Sequence, residues 1–117
     1  MRHLANPTLC LVTDRSLCRD LDDLVDRVAA AVDGGVNMVH VREKDLDGKS
    51  LLQLAERMIQ RVAGRAIVVV NDRVDVAMAA GADVHLGEAS LPVGEVRRMA
   101  GEGVLLGRSV HSLETAL

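Results

Sequence analysis

The stretch VHVREKDLDGKS, residues 39–50, carries an apolar run into a knot of mixed charge at Arg42, Glu43, Lys44 and Asp45. Arg42 and Lys44 alternate, so on an extended strand both point the same way. Two cations on one face suit an anionic group such as a diphosphate. The same spacing also fits a solvated loop with ordinary salt bridges to Glu43 and Asp45. A second polar pair, Asn71-Asp72, closes the most apolar run of the chain. Asp72 offers a carboxylate to a hard cation such as Mg2+, which binds through few carboxylates plus substrate phosphates. Its simpler role is to cap the helix that follows. His85, between Val84 and Leu86, reads as a core or layer residue with one hydrogen-bonded nitrogen. His111 and Ser112 stand at the opening of a last helix, with Ser112 as its cap, and His3 lies near the N-terminus. No histidine pair has metal-ligand spacing. GEGVLLG precedes a strand instead of following one, which excludes a dinucleotide fingerprint. With no Gly-x-Ser-x-Gly elbow, a hydrolase triad has no support.

These residues need elements to position them. Residues 9–14, 36–42, 66–72, 82–87 and 103–109 are short, Val-rich runs that read as strands. Their unbroken apolar character predicts a parallel sheet covered on both faces. Between them the period changes. Leu21, Leu24, Val25, Val28, Ala29 and Val32 form one helical stripe that stops at Gly34-Gly35. Leu51, Leu54, Ala55, Met58, Ile59 and Val62 form another, stopping at Gly64. Shorter helices are expected over 73–80, ending at Gly81, and from Pro92 to Gly101. The result is an alternating α/β chain whose polar residues gather at strand ends. In parallel α/β folds, ligands bind at the carboxyl ends of the strands.

Composition narrows the function. The 117-residue chain has no Phe, Tyr or Trp and a net charge of -3, so it offers neither a stacking platform nor a basic footprint for nucleic acid. No apolar run approaches the roughly 20 residues that span a bilayer. MRHLANPTLCLVTD lacks the apolar segment of a signal peptide, and a cytoplasmic protein is expected. Cys10 and Cys18 have neither metal-site nor redox spacing, and Cys10 is expected to behave as a small core residue.

LVTDR (11–15), GGVNMVHVREKDL (34–46), VNDRVDVAMAAGADVHLGE (70–88) and LLGRSVHS (105–112) occur in an order and spacing that resemble the thiamine phosphate synthases and their sister group, the thiazole tautomerases. The resemblance implies a TIM-type (β/α)8 barrel that joins a pyrimidine diphosphate to a thiazole phosphate with release of pyrophosphate and the help of Mg2+. In such enzymes the second strand commonly carries Gln-x-Arg-x-Lys, whose residues hold the pyrimidine diphosphate. Arg42 and Lys44 match it, with His40 in place of the glutamine. The resemblance further implies substrate binding by Asn71, Mg2+ binding by Asp72, and a place beside the pyrimidine for Ser109.

Two departures stand out. After HLG the synthases usually read Gln-Glu-Asp, the aspartate being a second Mg2+ ligand, whereas this chain has Glu88-Ala89-Ser90. Glu88 is the remaining carboxylate there, a candidate for metal or substrate binding. The second departure is length. A (β/α)8 barrel takes about 200 residues or more, so residues 1–117 are expected to form a partial, truncated barrel of five strands without its C-terminal half. An open sheet edge of that kind favours self-association. Three functions follow: a synthase-like transferase of thiamine biosynthesis, a tautomerase relative, or a non-catalytic half-barrel that binds or pairs. A complete flavodoxin-like sheet is the alternative at the level of fold.

Overall fold

A computed structural model of the chain describes residues 4, 7–87 and 90–109. The five predicted strands are present, each trimmed at its ends: β1 (Cys10–Val12), β2 (Met38–Val41), β3 (Ile67–Asn71), β4 (Asp83–Leu86) and β5 (Leu106–Arg108). Between them run α1 (Leu21–Asp33), α2 (Gly48–Val62), α3 (Val74–Ala80) and α4 (Val93–Ala100). The expected last helix, with His111 and Ser112, lies outside the described residues, as do Glu88 and His3.

Local chemistry sets the helix ends. The Asp20 carboxylate accepts the Asp23 N–H at 2.7 Å at the start of α1, and the Asp47 carboxylate does the same for the Ser50 N–H of α2. Such caps satisfy donors that have no partner within the helix. Gly81 turns the chain out of α3 at φ 77°, where glycine carries no side-chain penalty. At the end of α2 the same left-handed turn is made by Ala63, one residue before Gly64.

All strands are parallel and lie in the order β1-β2-β3-β4-β5. That sequential order excludes the flavodoxin-like arrangement, in which the chain reverses direction across the sheet. Consecutive helices pack side by side, α1 on α2, α2 on α3 and α3 on α4. On the helix-facing side, Val39, Val41, Val68, Val70, Val84 and Leu86 are buried against Leu24, Val28, Leu54, Met58 and Val96. Each buried side chain of this size contributes about 1.5–3 kcal/mol. Arg57 and Arg61 of α2, and Arg65 in the turn after it, pair with Asp22, Asp26 and Asp33 of α1 along the outside. These exposed pairs align the two helices but add little stability.

The opposite face of the sheet corrects one expectation. It is not covered like the first: Cys10 is exposed, Val12 is 50% exposed, and Met38, His40, Ile67, Asn71 and His85 are half-buried. With sequential strand order, all the helices stack on one side, and only that side acquires a complete apolar layer. Cys10 is therefore not a core residue. It faces a cleft of about 210 Å³ with Met38, His40, Val69 and His85, and partial burial there raises its thiol pKa.

Candidate active site

The polar strand ends meet at one rim of the sheet. Strand β2 stops at Val41, so Arg42 and Lys44 belong to the following loop and not to an extended strand. Both are nevertheless exposed and line one cleft of about 450 Å³ with Thr13, Asp14 and Arg15. Lys44 also lines a neighbouring cleft of about 220 Å³ with Asn71, Asp72 and Arg73. In that second cleft the Arg73 guanidinium is already engaged by Asp75, at 3.1 and 2.9 Å.

The charged knot resolves into two sets. Glu43 is only 7% exposed and turns away from Arg42 and Lys44. Its carboxylate accepts the Thr13 hydroxyl at 2.6 Å and the Arg15 N–H at 3.1 and 3.2 Å. The Arg15 guanidinium lies 3.6 Å from Glu43 and donates to Asp45 at 2.5 Å. This donation holds the Asp45 carboxyl below its ordinary pKa. Both acids thus serve Arg15 at the exit of β1. Among the described residues, Arg42 and Lys44 form no side-chain ion pair, so the solvated loop with salt bridges to Glu43 and Asp45 is not what forms. The sequence reading missed the Thr13–Glu43–Arg15 cluster, in which Glu43 lies 30 residues along the chain from Thr13 and 28 from Arg15.

Asp72 does not cap α3. The capping position is Arg73, which makes no side-chain cap. Asp72 itself adopts a left-handed backbone, φ 67°, and its carboxylate accepts a hydrogen bond from the Ser90 hydroxyl. Ser90 in turn accepts the Gly87 N–H at 2.9 Å. The backbone N–H of Asp72 donates to the carbonyl of His85 at 2.7 Å, which ties the end of β3 to its parallel neighbour β4. Residue 90 therefore stands against the carboxylate of residue 72, but it brings a hydroxyl and no second negative charge.

On the inner face a polar row crosses β2 to β5. His40 Nε2 lies 3.1 Å from Asn71 Oδ1, and His85 Nε2 lies 2.8 Å from the Ser109 hydroxyl. The two imidazoles meet at a centroid separation of 4.7 Å. Burial lowers both pKa values from the ordinary imidazole range, and for His40 the neighbouring His85 and Arg42 lower it further. His85 does have the expected hydrogen-bonded nitrogen, as a half-buried residue of this row. A Cβ on Gly107 would stand 2.6 Å from His85 Nδ1, so only glycine leaves room for the ring.

Lys44 thus lies with Arg42 in one cleft and with Asn71 and Asp72 in the adjoining one, and His40 is linked to Asn71. Ser109 joins this set only through His85 and His40. For a divalent cation, Asp72 supplies an exposed carboxylate with the Ser90 hydroxyl beside it. No cluster of three or more acidic, histidine or cysteine ligands exists among the described residues. That donor set fits Mg2+ held by one carboxylate and completed by substrate phosphate and water.

A family model described as thiamine monophosphate synthase matches residues 9–117. Thiamine-phosphate synthase from Chlorobium luteolum is 43% identical over 115 residues, covering 96% of this chain and 51% of the relative. The enzyme of that name from Methanoculleus marisnigri is 48% identical over 114 residues, covering 93% of this chain and 52% of its own. A solved structure, thiamine phosphate pyrophosphorylase from Pyrococcus furiosus, superposes with a TM-score of 0.82 at 32% identity, over 93% of this chain and 52% of that one. The chain spans about half the length of the relatives it matches. The order and direction of its strands are those of the TIM-type (β/α) barrel. Sequence and fold agree, and the chain belongs to the thiamine monophosphate synthase family.

Proposed function

We propose that this chain provides the pyrimidine diphosphate half of a thiamine phosphate synthase site, in an enzyme of thiamine biosynthesis that joins a hydroxymethylpyrimidine diphosphate to a thiazole phosphate. The observation that carries the reading is the division of charge at the rim. Glu43 and Asp45 engage Arg15, while the side chains of Arg42 and Lys44 form no ion pair among the described residues, and Lys44 lines both the cleft it shares with Arg42 and the one it shares with Asn71 and Asp72. The relatives reported above bear the synthase name, which supports this reading over a tautomerase or a half-barrel that only binds or pairs.

The chemistry follows from that arrangement. Arg42 and Lys44 attract the diphosphate and oppose the negative charge that grows on it as the bond to the pyrimidine methylene breaks. The electron pair leaves with pyrophosphate, and the thiazole nitrogen forms the new C–N bond. His40 holds the Asn71 carboxamide toward the pyrimidine, and His85 holds the Ser109 hydroxyl. Asp72 and Ser90 would hold Mg2+, which when bound neutralises diphosphate oxygens. Glu88 belongs to the same reading as a further carboxylate. Substrates this polar do not cross membranes unaided, so the cytoplasm is the proposed setting. Among the described residues no helix is long and apolar enough to cross a membrane. Self-association through the open sheet edges is also part of this reading, and a stable monomer by light scattering would contradict it.

The test is titration of pyrophosphate, with and without Mg2+, into the wild-type chain and into Arg42→Ala and Lys44→Ala. Each substitution removes a charge-assisted contact and is expected to weaken binding about tenfold or more. Unchanged affinity in both variants would overturn the reading.

A further inference from the structure

Between Arg42 and Lys44 stands a residue that neither the family motif nor the charge argument uses. Glu43 is the most elaborately bonded acid of the rim: buried at 7% exposure, it collects the Thr13 hydroxyl, the Arg15 N–H and the edge of the Arg15 guanidinium. Thr13 is shared, because its hydroxyl oxygen also accepts the Arg42 N–H at 3.0 Å. The loop is therefore held twice, at the backbone of residue 42 and at the side chain of residue 43. Both holds end on the exit of β1, one at Arg42 itself and one at Glu43, between the two cations.

We infer that Glu43, acting with Thr13 and Arg15, is a positioning group that fixes Arg42 and Lys44 toward the anion they bind. The inference rests on the diphosphate reading above and adds to it a role for a negative charge in binding a negative ligand. Two effects oppose each other at this position. By Coulomb's law alone, a carboxylate near the diphosphate weakens anion binding, and removing it tightens binding. As an anchor, the same carboxylate keeps two long, flexible cations from losing their common direction, and removing it loosens binding. The effects differ in sign, so one measurement separates them.

Pyrophosphate is titrated into the wild type, Glu43→Gln, Thr13→Val and Thr13→Ser, with Arg42→Ala as the control for the site itself. Far-ultraviolet circular dichroism reports the fold of each. Glu43→Gln keeps the shape and loses the charge, and weakening by about fivefold or more is expected, the scale of one charge-assisted hydrogen bond. Thr13→Val removes both hydroxyl contacts without changing volume and should weaken binding similarly, while Thr13→Ser restores most of the affinity. If Arg42→Ala weakens binding but Glu43→Gln leaves it unchanged or tighter, the positioning role is wrong and the diphosphate reading stands. If neither the control nor Glu43→Gln has any effect, or the wild type does not bind, both fail. Loss of folding in both Glu43→Gln and Thr13→Val assigns the cluster to the fold and overturns the inference.

Discussion

Asp72 is the residue at which structure and function make opposite demands, and replacing it with glycine separates them. Its backbone sits at φ 67°, in the left-handed region. That conformation costs most L-residues about 1–2 kcal/mol, with aspartate at the low end because its short polar chain tolerates it. Glycine relieves this cost but gives the unfolded chain extra freedom worth about 0.4–1 kcal/mol. The substitution also removes the hydrogen bond from Ser90, about 1 kcal/mol for a contact of this kind. The contributions oppose one another, so Asp72→Gly should change stability by less than about 1 kcal/mol, as surface substitutions do. Asp72→Asn, which keeps an acceptor for Ser90 and also tolerates φ above zero, should be equally neutral. Urea unfolding followed by circular dichroism measures this directly. In the same two variants the Mg2+-dependent part of pyrophosphate affinity should disappear, because the carboxylate is gone. If Asp72→Gly instead costs more than about 2 kcal/mol, a loss typical of broken buried networks, and the Mg2+ dependence survives, then Asp72 is retained for the fold and the metal assignment fails.

Two further outcomes are expected. Gly107→Ala places a methyl 2.6 Å from His85 Nδ1, forces the ring off Ser109, and should destabilise by about 1–3 kcal/mol as overpacking does; a neutral effect in urea unfolding would mean that the ring moves freely. Stability should also fall with acidification below the ordinary imidazole value of 6.5, because burial lowers the folded pKa of His40 and His85 and the unfolded state therefore takes up more protons in that window. Unfolding curves at about pH 7.5 and about pH 5.5 measure this slope, and it should flatten when both histidines are replaced by glutamine.

The strands and helices were legible in the sequence because their signals are local. Val-rich runs, the stripes through Val28 and Met58, and the stops at Gly34, Gly81 and Gly101 need only neighbours within a few residues to be read. The rim residues were legible too, since a polar residue that follows an apolar run is exposed by the end of the strand that carries it. Lys44 shares one cleft with Arg42 and the adjoining one with Asn71 and Asp72. Ser109 was placed less directly, and it reaches the others only through the two imidazoles. The expectation of a sheet covered on both faces failed because an apolar run reports what a strand tolerates, not how many layers the topology lays over it. Cys10 failed with it.

What the sequence by itself determined, then, is the alternation of elements, the end of the sheet where the polar residues collect, and the family to which their order belongs. Only the tertiary structure decided which charges pair. Arg15 meets Glu43 across 28 residues of chain and Asp45 across 30, and His40 meets Asn71 across 31. No local period encodes such distances. Partners of that kind are chosen by strand register and by the burial of Glu43 beneath the rim, which makes an unpaired carboxylate too costly and directs it to Thr13 and Arg15 instead of to its own neighbours. Among the described residues, the Arg42 and Lys44 side chains are left without ion-pair partners for that reason.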